Sequence, residues 1–166
     1  MLRLRKTEPF DLPFLYQWEN DASAWADGNN HNPLSETDLR NYIESTTGDL
    51  YKDGQLRLII EEQQGDEKIT VGCLDLFDLD PRNGRAAVGI YIAPAFRGKG
   101  YGKQALQQLD DYTFGFLHLR LLYAFVSHRN TASQQLFRQA GYTPSANIPH
   151  WTREGDATVW WKTTFN

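Results

Sequence analysis

Residues Arg97-Gly98-Lys99-Gly100-Tyr101-Gly102-Lys103 have the types and spacing of an anion-binding loop. They follow a strand-like run, Ala87-Val88-Gly89-Ile90-Tyr91-Ile92, and open a helix-like one through Gln104-Ala105-Leu106. The glycines carry no side-chain bulk, so successive backbone N–H groups can turn toward a single anion. A helix starting near Tyr101 adds its own unpaired N–H groups and the positive end of its dipole. Strand, glycine turn and helix N-terminus together make a phosphate cradle. Two nucleotide motifs do not fit it. A P-loop needs G-x-x-x-x-G-K-[ST], but these glycines stand too close together and no Ser or Thr follows Lys103. A dinucleotide fingerprint needs G-x-G-x-x-G early in a βαβ unit, with an acid about 20 residues on. Here the pattern is G-x-G-x-G after several strands, and Asp110-Asp111 comes too soon.

The elements that must hold this loop can be read from periodicity. Leu2 to Lys6 alternates apolar and basic, as a first strand would. A helix is predicted over Phe10 to Trp18 with Phe10, Phe14, Leu15 and Trp18 on its inward face. Ser35 caps the next predicted helix, with Asp38 three residues on and Leu39, Tyr42 and Ile43 on the apolar stripe. Residues 55–62, 69–77 and 85–92 read as three strands joined by turns at Gly65-Asp66 and Pro81-Arg82-Asn83-Gly84, an antiparallel meander. The helix after the glycine loop is predicted to turn Leu106, Leu109, Thr113 and Phe116 inward. Arg120 to Val126 is a further strand. Asn130 then caps a short helix that ends at Gly141, and a hairpin around Glu154-Gly155-Asp156 finishes the chain. The expected architecture is α/β with a mixed, mostly antiparallel sheet flanked by helices.

Two segments carry a family resemblance. Arg97-x-x-Gly100-x-Gly102, and one helix later the strand, Asn130, short helix and Gly141-Tyr142, resemble the two halves of the acetyl-CoA site of the GCN5-related N-acetyltransferases (GNAT). The resemblance implies the GNAT fold, with the co-substrate acetyl-CoA lying between two splayed strands. Backbone groups of Ile90, Tyr91 and Ile92 would pair with the pantetheine arm like an added strand. The segment Arg97, Gly98, Lys99, Gly100, Tyr101, Gly102 and Lys103 would hold the pyrophosphate, with Asn130, Ser133 and Phe137 on the other side. The implied reaction is transfer of the acetyl group to a primary amine. An alkyl ammonium, with a pKa of about 10, must first lose a proton, and the oxyanion needs donors such as a strand N–H near Tyr91 or Ile92.

One residue departs from the family pattern. Many members carry a tyrosine as proton donor to the departing thiolate, and Phe137 stands at that position. Three arrangements stay open: another hydroxyl substitutes, the thiolate leaves with help from the helix terminus or water, or the protein binds acetyl-CoA without turnover. The base is equally open between Asp78, at the end of the third strand, and His128, after the fifth, with Asp75, Tyr91 and Tyr123 as further choices.

Along most of its length the chain is similar to the branch holding spermidine/spermine and ribosomal-protein N-terminal acetyltransferases. In that branch, acids like Asp75 and Asp78 in Val71–Leu79 would each meet an ammonium group of a polyamine. The family's glutamates between the first two helices are missing from Gly28-Asn29-Asn30-His31-Asn32-Pro33, where Asp27 is the only acid nearby. That departure speaks against an allosteric polyamine pocket of the family's kind. The expected acceptor is a primary amine, such as the polyamine spermidine, with another small amine or a peptide N-terminus as the alternative, and homodimers are common in the family.

Bulk properties narrow the remaining classes. The 166 residues suit a single acetyltransferase domain, 1–166, with one core. A net charge of −4 with scattered Lys and Arg argues against nucleic acid. No segment approaches the ~20 apolar residues of a membrane span. The N-terminus runs straight into charged residues, and Cys73 is the only cysteine, so a cytoplasmic setting is expected, with Cys73 as core filler. The sequence calls for no metal.

Overall fold

A broken ladder in the middle of the sheet organises the molecule. The computed structural model describes residues 1–25 and 31–164. Seven strands run in the order β1-β2-β3-β4-β5-β7-β6, with β1 Leu2–Lys6, β2 Leu56–Gln64, β3 Glu67–Asp80, β4 Arg85–Ile92, β5 Leu121–Ser127, β6 Thr143–Thr152 and β7 Gly155–Thr163. All neighbours are antiparallel except β4 and β5. That parallel pair is joined over Arg85–Ala87 against Leu121–Tyr123 and then separates. Its closed end is pinned by the Gly84 carbonyl, which accepts from Arg120 N at 2.6 Å and Leu121 N at 3.2 Å. The expected meander and the final hairpin are both present.

Helices cover the two faces differently. On one face lie α1 Leu12–Glu19 and α3 Glu36–Ser45, with the short α2 Ala22–Trp25 following α1; on the other lie α4 Leu50–Asp53, α5 Tyr101–Asp110 and α6 Thr131–Gln139. Leu15, Trp18, Leu39 and Ile43 bury against Ile59 and Cys73. Leu106, Leu109 and Phe137 join Leu58, Leu74, Val88, Leu122 and Trp160 in the larger core. Cys73 is buried as expected, and burial pushes its thiol up, so it is inert filler. Ser35 caps α3 as the sequence indicated, accepting from Asp38 N at 3.0 Å while Asp38 accepts from Ser35 N at 2.9 Å.

Two inward faces come out differently from the periodic reading. Residues 111–116 form a π-helical turn, which adds residues per turn and shifts the phase of the stripe. Thr113 stays buried, but Phe116 ends 74% exposed. At the first helix, a short 3-10 turn over Pro9–Asp11 precedes α1 and breaks its phase. Leu15 and Trp18 are buried, whereas Phe10 is 65% exposed and Phe14 also faces outward. Arg5 lies over the Phe10 ring at 4.9 Å.

Gly72 sets the spacing of β3 and β4 beside the open ladder. A β-carbon there would stand 2.1 Å from the Tyr91 carbonyl oxygen, a backbone atom that cannot swing aside. Gly72→Ala is therefore expected to destabilise by about 1–3 kcal/mol, as overpacking does. A urea midpoint equal to wild type would show that the two strands yield without cost.

Candidate active site

Beyond Ala87 the inner edge of β4 has no strand partner. Side-by-side residues of a strand point their backbone groups to opposite neighbours. The Tyr91 carbonyl faces Gly72 on β3, and Ala93 N donates to Val71 O at 2.9 Å. Val88, Ile90 and Ile92 therefore turn their backbone groups to the gap. Of the three residues expected to meet pantetheine, Ile90 and Ile92 are so placed, while Tyr91 is turned into the sheet. The Ile92 carbonyl already accepts from Arg97 Nε at 2.9 Å.

The glycine loop lies at the open end of this gap. Gly98 has φ +74° and Gly100 φ +83°, and Gly100 is the N-cap of α5. Nothing stands within 4 Å of a β-carbon built on Gly98. Gly102 does a different job: its β-carbon would meet Leu136 of α6 at 3.0 Å, so it lets α5 and α6 pack closely. Arg97, Lys99 and Lys103 are exposed around the loop. Lys99 lies over the Phe96 ring at 5.6 Å and Arg97 over Tyr91 at 5.7 Å. The Tyr101 hydroxyl donates to Glu62 and ties the start of α5 to β2. On the other wall, Asn130 caps α6 by accepting from Ser133 N at 3.0 Å, and Gly141 ends that segment at φ +86°. Two φ-positive glycines, a helix N-terminus and three cations fit a pyrophosphate.

Phe137 is only 2% exposed and meets Tyr142 edge-on at 5.1 Å, so it offers packing and no proton. Three tyrosine hydroxyls are engaged elsewhere. Tyr142 donates to Asp110 at 3.3 Å inside the core. Tyr91 reaches Asp21 at 3.5 Å, and burial followed by that carboxylate raises its phenol. Tyr123 donates to Asp78.

The carboxylates expected to act together are separated in role. Asp75 is gripped by Arg57, Nε to Oδ1 at 2.7 Å and Nη2 to Oδ2 at 3.0 Å, and Arg57 also pairs with Glu19 of α1. Both of its oxygens are thus taken up within the protein. Asp78 is exposed and meets the neutral Tyr123. Arg57 was not singled out in the sequence, although a charged residue inside the apolar run Leu56–Ile60 demands a buried partner. His128 does not approach Asp78. It follows the end of β5, where its Nε2 lies 2.9 Å from Thr158 Oγ1, five residues or about 16 Å along the strand from Tyr123. Asp27, Gly28, Asn29 and Asn30 lie outside the described residues. The face of β5, β7 and β6 next to Asp78 is hollowed into a cavity of about 540 Å³, lined by Arg85, Leu121, Tyr123, Phe125, Ser145, Val159 and Trp161.

The model of the acetyltransferase (GNAT) domain family matches residues 1–143. This chain belongs to that family. The enzyme is accordingly an acetyl-CoA-dependent N-acetyltransferase. An uncharacterized N-acetyltransferase, p20, from Bacillus licheniformis is 30% identical over 85% of this chain and 78% of its own. A spermidine N(1)-acetyltransferase from Vibrio cholerae is 25% identical over 89% of this chain and 82% of its own. A crystal structure of spermidine N-acetyltransferase from Vibrio cholerae, in complex with CoA and spermine, matches the acetyltransferase fold with a TM-score of 0.87 at 22% identity. That match covers 98% of this chain and 95% of the other. Among the described residues of this acetyltransferase, no helix is long and apolar enough to cross a membrane.

Because Gly100 caps α5 at positive φ, any β-carbon there is strained. Gly100→Ala is expected to raise KM for acetyl-CoA about tenfold, the equivalent of roughly 1.4 kcal/mol, with kcat nearly unchanged. A fall in kcat at constant KM would mean that the loop serves the reacting centre instead of the phosphates.

Proposed function

We propose that the enzyme acetylates a primary amine, with a polyamine such as spermidine as the first acceptor to test. The observation that carries this reading is the open edge of β4 leading straight into the φ-positive loop at the N-terminus of α5. In this reading Ile90 and Ile92 take the pantetheine amides. The N–H groups from Gly98 through Lys103 take the pyrophosphate, helped by Arg97, Lys99 and Lys103. Asn130 and Ser133 border the other wall, and a β4 N–H facing the gap serves the oxyanion. Asp78 receives the ammonium on the groove face.

The acceptor assignment rests on two supports. Relatives from Vibrio cholerae are spermidine acetyltransferases by name. Asp78 also presents an anionic group whose partner, Tyr123, carries no charge. Asp75 is no longer part of this reading, since Arg57 already occupies it.

Free CoA release from acetyl-CoA tests the function directly, with spermidine, spermine, amino acids and short basic peptides as acceptors. Release with spermidine or spermine is the expected result. Release with a peptide N-terminus alone would replace the polyamine by a protein acceptor. Acetyl-CoA binding by calorimetry with no release across the panel would make the protein an acyl-CoA-binding module.

A further inference from the structure

β3 carries one residue too many near its end. Phe77 stands opposite Ala87 and Asp80 opposite Arg85, so Asp78 and Leu79 share the stretch facing Ala86. At this bulge Asp78 has φ +50°, a left-handed conformation that strains a residue with a β-carbon. Bulges re-aim side chains and are over-represented beside active sites. Here the re-aimed carboxylate accepts a hydrogen bond from Tyr123, a residue 45 positions away on a strand two places across the sheet.

The pair lies at a telling level of the sheet. Phe77, Ala87 and Tyr123 share one rung, the last before β4 and β5 part. The small Ala87 side chain leaves room for the Tyr123 ring to reach over β4. The backbone groups of Val88 and Ile90 face the gap immediately beyond. Burial first, and the Asp78 bond second, push the Tyr123 phenol up to about 12, so it stays protonated and donating at neutral pH. The neighbouring charges answer each other: Arg85 pairs with Asp80 at 3.1 Å, and Asn83 donates to Asp80 at 2.7 Å. Among the described residues, Asp78 is thus an ionisable group fixed by a neutral donor at the closed end of the gap.

We infer that Tyr123 is a positioning residue that holds the Asp78 carboxylate to take a proton from the incoming ammonium group. The inference rests on the acetyltransferase reading above. The ammonium gives one proton to Asp78, and the freed lone pair forms the C–N bond at the thioester carbon. The C–S bond breaks with its electron pair leaving on sulfur. The second proton shed by the nitrogen reaches the thiolate through solvent, and Asp78 returns its own proton to water. No hydroxyl at position 137 is needed in this sequence of steps.

The test uses Tyr123→Phe, Asp78→Gly and the double variant, with spermidine or whichever amine of the panel above releases CoA fastest. Glycine is at ease at φ +50°, so Asp78→Gly removes the carboxylate without straining the bulge. Should that variant melt early, Asp78→Asn supplies the carboxylate-free enzyme. Tyr123→Phe is expected to lower kcat about tenfold while calorimetric acetyl-CoA affinity and the melting temperature stay at wild type. Asp78→Gly should lower kcat about a hundredfold or more without a lower melting temperature. The double variant should be no slower than Asp78→Gly alone, because the hydroxyl acts only through the carboxylate. A Tyr123→Phe enzyme at wild-type kcat, or a double variant slower by a further tenfold, overturns the assignment while leaving the acetyltransferase reading intact. A wild-type enzyme that binds acetyl-CoA and releases no CoA with any amine overturns both.

Discussion

The parting of β4 from β5 is the constraint to which the rest of the structure answers. A backbone edge left open beside a core is costly unless something satisfies its N–H and C=O groups. The edge can persist because its two ends are fixed independently. Gly84 pins the closed end to β5, and β3 holds β4 firmly from the other side. Beneath the gap, the start of α5 packs on Ile92 and on Leu136 of α6 through the bare face of Gly102. The β4–α5 connection places the two φ-positive glycines at the open end of this gap. In the proposed reading, one stretch of chain would thus align thioester arm and pyrophosphate.

Charge is distributed with equal economy of position. Two partly buried arginines each gather two carboxylates. Arg57 joins Asp75 of β3 to Glu19 of α1. Arg5 joins Glu61 of β2 to Asp11, which is 0% exposed. Burial works to raise the Glu61 carboxyl, but Arg5 and Arg3 outweigh it and leave it below its ordinary range. Such ion pairs add little net stability against a well-packed apolar alternative, yet breaking one leaves a buried charge alone. Their role here is placement: they fasten the first helical segment to the sheet. Arg57 thereby occupies Asp75, whereas Asp78 on the same strand bonds the neutral Tyr123.

Much of this was legible in consecutive residues. The glycine loop, the Ser35 and Asn130 caps and the Gly141 stop all depend on backbone conformations or hydrogen bonds spanning three or four positions. Signals of that range survive in any sequence window, and so do the alternation of β1 and the turns that bound the later strands. The inward faces of long helices were less secure, because one π-helical turn or a 3-10 entry changes the period: Phe116, Phe10 and Phe14 moved outward for that reason.

The sequence by itself determined that a glycine turn joins a strand to a helix, that position 137 lacks a hydroxyl, and that acids lie on the third strand. Only the tertiary structure decided which of those acids an arginine occupies. Asp75 and Asp78 look equivalent along the chain, three residues apart in one apolar strand. Strand order brings Arg57 of β2 against the first, whereas a one-residue bulge turns the second toward Tyr123 of β5. Register and strand order are set by packing of the whole sheet, so no local window contains them.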